Sequence, residues 1–457
     1  MRRLHAPSAL LPSGWAEDVA ITLDDAGMIA AVASGAAPAG MERLAGPVLP
    51  GMTDLHSHAF QRAMAGLTER RGPGGDDHFW TWRETMYRFL ARLTPDDVGA
   101  IAAHLHVTLL KGGFTAVAEF HYLQADIDGR AYANPAEMGL ALIAAAEGTG
   151  IALTMLPSLY RQGGFGRPHT DGQKRFVLDD DALWASVEAF RVAAARNPLL
   201  RVGLAPHSLR AAALPDIARW ADLIRRDDPQ APIHIHAAEQ PREVAECLAA
   251  TGSRPVRLIL EALPVDAHWC LIHATHLSPE EVAGLARSGA VAGLCPTTEG
   301  NLGDGIFPLP AFLAAGGRFG IGTDSHVGVN AAEELRMLEA SQRLATLRRA
   351  VATTEEQPSA GTLLWSRAAA AGASVSAQPA GAIAPGRRAD LVVLDGEAPL
   401  LAGRSGALAL DTLVFAGGEP LVRDVMVGGA WVVREGRHRA EREAAAGFAA
   451  TLRRLLG

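Results

Sequence analysis

The chain has 457 residues, of which 49% are hydrophobic and 20% are charged, a balance that is typical of a folded globular protein and excludes extensive disorder. Its net charge of -8 argues against a nucleic-acid-binding protein, which would present a basic surface. The length suits one large α/β barrel with a smaller companion as well as it suits three separate modules.

The N-terminal sequence contains no apolar stretch of signal-peptide length, and no window of about 18 uninterrupted apolar residues predicts a transmembrane helix. The three cysteines form no CxxC pair and are too few for a disulfide framework. They are Cys247, Cys270 and Cys295. These features predict a cytoplasmic protein that does not enter a membrane.

The two ends of the chain resemble each other more than either resembles the middle. Short apolar runs between Gly, Pro and Asp predict strands in residues 1–48, at VAITLDD and GMIAAVAS. Residues 381–436 follow the same pattern, in GAIAPGRRADLVVLDG, DTLVFAGG and VRDVMVGGAWVVREG. We therefore expect a small β unit built from residues 1–48 and 376–457, with a terminal helix, and residues 49–375 inserted between its halves.

Residues 49–375 alternate strand-like and helical segments, which predicts βαβ repetition and a parallel sheet. Eight candidate strands share polar or reactive residues at their ends. They are VLPGMTDLHSH, TAVAEFHY, IALTMLPSLY, LRVGLAPHSLR, APIHIHAAEQ, WCLIHATH, AVAGLCPTTEGN and RFGIGTDSH. This arrangement is typical of a (β/α)₈ barrel, whose active site is built at the strand C-termini. The alternative, a doubly wound sheet, would more often show a Gly-rich phosphate turn after its first strand, and this chain has none.

Histidines and carboxylates accumulate at four of these strand ends. The first strand ends in an HxH motif, and alternate strand residues face the same side, so both imidazoles can point into one site. A lone HxH motif is weak evidence, but the fifth, sixth and eighth strands add further histidines and carboxylates. The residues concerned are His56, His58, His234, His236, Glu239, His273 and Asp324. Imidazole and carboxylate suit Zn²⁺, so the set predicts a metal site.

This pattern resembles the amidohydrolase superfamily, a (β/α)₈ barrel with a β-sandwich built from both termini, and His236-x-x-Glu239 resembles the HxxE element of its deaminase branch. More narrowly, segments at seven strand ends are similar to the formimidoylglutamate deiminase family of histidine degradation. They are HSHAFQRAMAG, FWTWRETMYR, AEFHY, APHSLRA, HIHAAEQ, TTEGNLGDGIFP and GIGTDSH. The resemblance covers essentially the whole chain and implies a metal-dependent hydrolase acting on linear amidines.

Only Lys111 and Lys174 are lysines among the 42 basic residues. Many amidohydrolases hold two metals bridged by a carboxylated lysine, usually at the end of the fourth barrel strand. That strand ends here in APHS, and neither lysine lies at a strand end. The resemblance therefore implies one divalent metal, Zn²⁺ or Fe²⁺. The ligands that it implies are His56, His58, His236 and Asp324.

Hydrolysis of a formimino group needs an activated nucleophile, because the carbon is a weak electrophile. A bound metal lowers the pKa of water from about 15.7 toward 7. We expect Asp324 to take a proton from the attacking water and pass it to the departing nitrogen. Glu239 would protonate or hydrogen-bond the imino nitrogen, and His273 would orient the nucleophile and stabilise the developing charge.

The implied substrate, N-formimino-L-glutamate, carries two carboxylates, so its site needs fixed positive donors. The planar guanidinium of arginine binds a carboxylate through paired hydrogen bonds. Arg210 in PHSLR and Arg83 in FWTWRE are the expected carboxylate-binding residues. By the same resemblance, Gln61, Tyr122 and His207 complete the polar pocket.

Some neighbours of these residues are expected to be structural. His234 shares a strand face with His236, yet the resemblance places the ligand at His236. Trp80 and Trp82 are expected to pack the excursion after strand one rather than to contact substrate. The roles of His276 and His326 stay open.

The main alternative is another deaminase of the same branch that acts on a purine or a related cyclic amidine. Such a site should favour aromatic stacking, which a chain with 5% aromatic residues supports little. A catalytically inactive barrel would have lost ligands, and a metal-dependent amidase would keep them. Formiminoaspartate is not distinguished from formiminoglutamate, since one methylene is worth only ~1–3 kcal/mol. The family also implies a homodimer.

Overall fold

The computed structural model describes residues 1–37, 39–69 and 79–457. The N-terminal part forms five strands: β1 (Arg2–Leu11), β2 (Gly14–Leu23), β3 (Ile29–Ala33), β4 (Glu42–Arg43) and β5 (Val48–Pro50). β1 and β2 form a long antiparallel hairpin, and β3 continues it. The apolar runs predict β2 and β3, whereas β1 escapes prediction because its sequence RRLHAPSALL mixes charged residues with a proline.

Nine strands from the middle of the chain form a closed parallel barrel. They are β6 (Met52–Ser57), β7 (Phe114–His121), β8 (Ala152–Leu159), β9 (Leu200–Val202), β10 (Ala205–Pro206), β11 (Ile233–Ala237), β12 (Trp269–His273), β13 (Val291–Leu294) and β14 (Arg318–Ile321). β9 and β10 together occupy the fourth of eight positions. Bridges from Ser57 to Asp324 and from Ser208 to His236 join the two sheets into a ring. The predicted (β/α)₈ barrel is confirmed, with its eight segments in the expected order.

Helices follow the barrel strands and cover its outside. The α-helices within the described residues are α1 (Phe79–Leu90), α2 (Pro95–Lys111), α3 (Glu137–Thr149), α4 (Asp180–Ala194), α5 (Leu214–Arg225), α6 (Pro241–Thr251), α7 (Pro255–Ala262), α8 (Pro279–Ser288), α9 (Pro296–Leu302), α10 (Leu309–Ala314), α11 (Ala331–Thr346), α12 (Ala360–Val375), α13 (Gly406–Phe415) and α14 (Glu441–Leu456). Short 3₁₀ helices span Ala59–Met64, Asp171–Phe176 and Pro399–Leu401. Among these described segments, none is both long and apolar enough to cross a membrane.

The C-terminal part adds β15 (Leu391–Leu394), β16 (Val422–Val427), β17 (Ala430–Arg434) and β18 (Arg437–His438). β15 pairs antiparallel with both β5 and β16, so the two chain ends share one nine-stranded sheet. Its order is β18-β17-β16-β15-β5-β1-β2-β3, with β4 beside β1. The expected β unit from both termini is confirmed, while domain boundaries after residues 48 and 375 stay predictions.

The segment DTLVFAGG is predicted as a strand, and that prediction is wrong, because DTLVF forms the end of α13. A short apolar run cannot be distinguished from a buried helix by its periodicity alone. In the structure, α13 packs against α11 and α12 and buries Leu410 and Val414. Asp411 accepts hydrogen bonds from the Ser359 hydroxyl and the Gly361 amide at the start of α12, which anchors the two helices together.

The barrel interior is filled by side chains that need small neighbours. Leu55 on β6 is fully buried, and it lies against Gly293 on β13 and Gly320 on β14. A Cβ atom would lie 2.8 Å from Leu55 at Gly293 and 2.3 Å from it at Gly320, so a larger residue at either position would collide with the leucine. These glycines let the core close below the polar strand ends.

Candidate active site

The ends of β6, β11, β12 and β14 bring imidazoles and a carboxylate together at one end of the barrel. His56 Nε2 lies 3.1 Å from His236 Nε2 and 3.5 Å from Asp324 Oδ1. His58 Nε2 lies 3.5 Å from the same carboxylate oxygen, and His273 Nε2 lies 3.8 Å from Asp324 Oδ2. All five side chains are buried, and the four expected ligands therefore converge on one point.

Backbone carbonyls orient two of these imidazoles. His58 Nδ1 lies 3.0 Å from the carbonyl oxygen of Phe120, and His236 Nδ1 lies 2.8 Å from that of His207. Because a carbonyl oxygen only accepts, both Nδ1 atoms donate, and each Nε2 keeps a lone pair that faces the cluster. Burial lowers the pKa of His56, His58 and His236 well below its usual value, which keeps these rings neutral.

This donor set fits a divalent first-row cation. The candidate ligand atoms of His56, His58 and Asp324 lie within 4.8 Å of one another, as do those of His56, His236 and His273. The two lysines lie elsewhere, since Lys111 pairs with Glu441 at the end of α2 and Lys174 pairs with Asp171 in a 3₁₀ helix. The ligands available at this point are thus imidazoles and one carboxylate.

His273 lies between the expected ligands and two further carboxylates. Its Nε2 is 3.7 Å from Glu239 Oε1, and its Nδ1 is 3.3 Å from Glu299 Oε1. Burial alone would lower the pKa of His273, but Glu239, the hydrogen bond to Glu299 and Asp324 outweigh it and raise that pKa to about 10. Burial also raises the pKa of Asp324 to about 7. The neighbouring carboxyl groups therefore favour the protonated form of this imidazole.

Several strand ends at the site adopt left-handed backbone. The φ angles are +52° at Ala238, +65° at His273 and +48° at Asp324, a region that non-glycine residues rarely adopt. Hydrogen bonds hold these turns, because the Asp324 amide donates to the His56 carbonyl at 2.9 Å and the Ala238 amide donates to the Glu243 carboxylate at 3.1 Å. Such strain is concentrated at functional sites, and here it aims side chains inward.

A cavity of about 260 Å³ opens onto this cluster. Its walls come from α1, α6, the segments after β6, β7, β8 and β10, and the 3₁₀ helix before α4. The five expected substrate-binding residues all line it: Gln61, Arg83, Tyr122, His207 and Arg210. The lining also includes His58, His236, Glu239, His273 and Asp324. The structure thus joins the expected catalytic and binding residues in one space.

The two expected arginines present positive charge to the cavity in different surroundings. Arg210 Nη2 lies 3.7 Å from Glu239 Oε2 and 3.8 Å from Glu243 Oε2, and its side chain is 11% exposed. Arg83 makes no ion pair with the described residues, and its guanidinium lies 4.4 Å from the centroid of the Trp80 ring. The Nε atoms of both arginines are buried and have no hydrogen-bond partner among the described residues. Both guanidinium groups can therefore bind an anion.

The neutral polar groups of the cavity are partly paired with each other. Gln61 Nε2 donates to the Tyr122 hydroxyl at 2.9 Å, which leaves Gln61 Oε1 buried and without a partner among the described residues. Gln173 Nε2 donates to the Tyr160 hydroxyl at 2.7 Å, and both also line the cavity. Sequence reasoning missed this second pair, although Tyr160 is the last residue of the predicted strand IALTMLPSLY and could have been found there.

Trp80 and Trp82 also line the cavity, because α1 lies across the barrel mouth and presents this pair to it. The expectation that they pack the excursion rather than contact substrate stays a prediction. Arg242 and Glu246 of α6 and Arg167 line the same region and were not expected there. Their only sequence signal is their position shortly after the β8 and β11 strand ends.

The histidines left without an assigned role lie outside the cavity lining. His234 Nε2 hydrogen-bonds the Val375 carbonyl at 3.0 Å, at the end of α12. His276 Nε2 hydrogen-bonds the Asp304 carbonyl at 2.7 Å. His326 is hydrogen-bonded to serine and threonine hydroxyls at neighbouring strand ends. His276 and His326 thus connect segments at or after the ends of barrel strands, whereas His234 ties β11 to the end of α12.

Comparison with protein families finds matches over nearly the whole chain. Residues 48–432 match the model of the amidohydrolase family, and residues 1–46 match that of the formimidoylglutamate deiminase HutF N-terminal domain. A formimidoylglutamate deiminase of Pseudomonas aeruginosa is 50% identical over 459 aligned residues, which cover 100% of both chains.

Comparison with solved structures also finds matches over nearly the whole chain. The crystal structure of an amidohydrolase from Brucella melitensis is 44% identical, covers 100% of both chains and superposes with a TM-score of 0.94. That of an adenosine deaminase from Xanthomonas campestris with bound zinc superposes with a TM-score of 0.82 and covers 99% of this chain and 98% of that one. At 20% identity, this second likeness concerns the fold alone.

Proposed function

This chain belongs to the amidohydrolase family, within its formimidoylglutamate deiminase branch, and we propose that it hydrolyses N-formimino-L-glutamate to N-formyl-L-glutamate and ammonia in histidine degradation. The observation that carries this proposal is one cavity in which an imidazole–carboxylate cluster faces Arg83 and Arg210. In a dicarboxylate with a formimino group, the formimino group suits the cluster and the carboxylates suit the two arginines. A purine would leave the two guanidinium groups without their anions.

We propose that one divalent cation, Zn²⁺ or Fe²⁺, is held by the four convergent side chains. They are His56, His58, His236 and Asp324. The neutral Nε2 atoms and the carboxylate supply the ligand types that such an ion prefers, and no lysine is near enough to bridge a second ion. When bound, the cation lowers the pKa of a water molecule toward about 7 and so supplies a nucleophile at neutral pH.

Asp324 and Glu239 are proposed to move the protons. Attack by water adds oxygen to the formimino carbon and a proton to the imino nitrogen, and a second proton must reach that nitrogen before ammonia leaves. Asp324, which lies at the cluster, is the proposed base: it accepts one proton from the oxygen and delivers it to the nitrogen as the second proton there. Glu239, whose Oε1 lies 3.7 Å from the His273 Nε2 atom that also faces Asp324, is the proposed donor of the first proton. The proton that Asp324 accepts as the carbonyl forms returns to Glu239, which restores both carboxyl groups for the next turnover.

His273 is proposed to stabilise the oxygen as negative charge develops on it. Its Nε2 faces both Glu239 and Asp324 at 3.7 and 3.8 Å, and Glu299 holds its Nδ1. A ring fixed in this way can donate a hydrogen bond to the oxygen on the reacting carbon without reorganising. Its positive charge also offsets the two carboxylates that face it.

The substrate carboxylates are assigned to Arg83 and Arg210. Arg83 has no carboxylate partner among the described residues, so an incoming carboxylate meets no competitor there. Arg210 is shared by two carboxylates at 3.7 and 3.8 Å, beyond hydrogen-bond distance, and can turn donors toward substrate. The remaining polar contacts are proposed to come from Gln61, Tyr122 and His207.

We also propose a cytoplasmic homodimer, in which residues 1–48 and 376–457 form one domain and residues 49–375 the other. All three cysteines are free and buried, which suits a reducing compartment. The shared nine-stranded sheet supports the division into domains. The dimer is an implication of the family resemblance.

Release of ammonia tests the reaction directly. We expect the purified enzyme to release ammonia from N-formimino-L-glutamate faster than from guanine or adenosine. The rate on N-formimino-L-aspartate should differ from the rate on N-formimino-L-glutamate by no more than roughly 10- to 200-fold, because a difference of one methylene supports no greater discrimination. A rate on either purine that equals or exceeds the rate on N-formimino-L-glutamate would contradict the proposal.

A further inference from the structure

The outer part of the cavity places several arginines around one indole. The Trp80 ring, on α1, has Arg83 Cζ 4.4 Å from its centroid and Arg242 Cζ, from α6, at 4.3 Å. Arg210 Cζ lies 5.9 Å from the same centroid. All four residues line the cavity. An aromatic face attracts a cation, so Trp80 holds positive groups close together that would otherwise repel each other.

Glu246 ties a third segment to this arrangement. Its Oε1 accepts a hydrogen bond from Arg242 Nε at 2.9 Å, and its Oε2 accepts one from Arg167 Nη2 at 3.4 Å. Arg167 comes from the segment between β8 and α4 and also lines the cavity. Away from the cluster, Glu246 is the only acidic residue of this described lining, whereas Arg83, Arg167 and Arg242 all belong to it, so positive charge predominates there.

This local charge is opposite to that of the whole chain. The net charge of -8 repels an anion that approaches from a distance. At physiological ionic strength, exposed charges are screened beyond about 8 Å, so the arginines at the mouth dominate once an anion is near. A cleft lined by one sign of charge raises the local concentration of the opposite ion and its association rate.

We propose that Arg242 and Arg167, positioned by Trp80 and Glu246, form an entrance that captures the dicarboxylate substrate. The inner arginines Arg83 and Arg210 then bind it for reaction. The side chains of Arg242 and Arg167 are 56% and 61% exposed, so their contacts with an anion are weak and reversible, as capture requires. The inference rests on the proposed function, because the captured anion is its substrate.

The test is the salt dependence of kcat/KM in Arg242→Gln. At low ionic strength we expect kcat/KM for N-formimino-L-glutamate to fall about fivefold with kcat nearly unchanged, and the loss to disappear as salt is added. Arg242→Lys keeps the charge and should keep most of the salt dependence. The matched control is Arg257→Gln on α7, which loses the same charge and the same type of i,i+4 pair, here with Glu261 at 2.8 Å.

Binding of the dicarboxylate product N-formyl-L-glutamate, measured by calorimetry over the same salt series, probes the entrance without turnover. Weaker product binding in Arg242→Gln than in Arg257→Gln supports the entrance, even if the wild type proves inactive on the formimino substrate and so contradicts the proposed reaction. Identical salt dependence of product binding in the two variants overturns the entrance. A fall in kcat with unchanged KM in Arg242→Gln overturns it as well.

Discussion

The inner and outer ends of the cavity are held in place by different kinds of contact. At the inner end, the four expected ligands lie on or just after barrel strands and are buried, and backbone carbonyls orient two of their imidazoles. At the outer end, Arg242 and Arg167 sit on a helix and a connecting segment, and one carboxylate holds both. Groups that must meet a reacting atom are thus fixed by the barrel, whereas groups that select a substrate can vary without disturbing it.

The same contrast sets the size of mutational effects. A charge change at the inner end acts in a buried, weakly screened environment, and a charge change at the mouth is screened by water. We therefore expect the largest losses of rate near the cluster and progressively smaller ones outward. A ranking in which entrance variants lost more than cluster variants would contradict this division of the cavity.

Glu239→Gln should give the largest loss. The amide keeps the shape of the carboxyl group but cannot deliver a proton, so kcat should fall about 10²- to 10⁴-fold. Metal analysis of the same sample should still find one divalent ion per chain, because Glu239 is not an expected ligand.

The matched control is Glu261→Gln, an exposed carboxylate on α7 outside the cavity lining. Near-normal ammonia release by Glu239→Gln would contradict its role as the proton donor. A content close to two metal ions per chain in the wild type would contradict the single-metal site.

Arg210→Met should give the second largest effect, on kcat/KM. Truncating one partner of a buried charge pair costs roughly 2–5 kcal/mol, which corresponds to a loss of at least about 30-fold. The variant removes a proposed substrate contact and also leaves Glu239 and Glu243 without their guanidinium. Steady-state kinetics on N-formimino-L-glutamate measure this loss of kcat/KM.

Arg219→Met is the control for that variant, because Arg219 is half-exposed on α5 and pairs with Asp180 away from the cavity. If the two methionine variants lost kcat/KM to the same extent, Arg210 would have no special part in substrate binding.

Sequence reasoning reached the inner end of the cavity more easily than the outer end. Strand alternation alone brings His56 and His58 to one side, and the barrel order brings the ends of β11, β12 and β14 beside them. Arg83 and Arg210 came from their positions after the first and fourth strands together with the family resemblance, since an arginine in a loop carries no periodic signal. The structure places both in the cavity, while their roles stay predictions.

The parts that escaped prediction depend on how separate elements pack. Arg242 reaches the mouth because α1 lies across it and offers the Trp80 ring, a contact between residues 162 positions apart. DTLVFAGG is predicted as a strand because the periodicity of so short a run does not reveal a helix. Its helical conformation depends on burial against α11 and α12. Both cases require tertiary contacts that a single sequence does not reveal.

Glu299→Gln should give the smallest of the inner effects. Glu299 Oε1 accepts a hydrogen bond from the Cys295 amide at 2.9 Å and lies 3.3 Å from His273 Nδ1. Glutamine can keep the first contact but loses the charge that holds the imidazolium, and groups that orient a reacting side chain in this way typically contribute about 10- to 100-fold. For Glu299→Gln, we expect kcat to fall about 10-fold, the lower end of that range, with KM little changed. Arg242→Gln should instead lower kcat/KM with kcat little changed. If Glu299→Gln raised KM and left kcat unchanged, Glu299 would act on substrate capture, and the line between the two ends of the cavity would have to be redrawn.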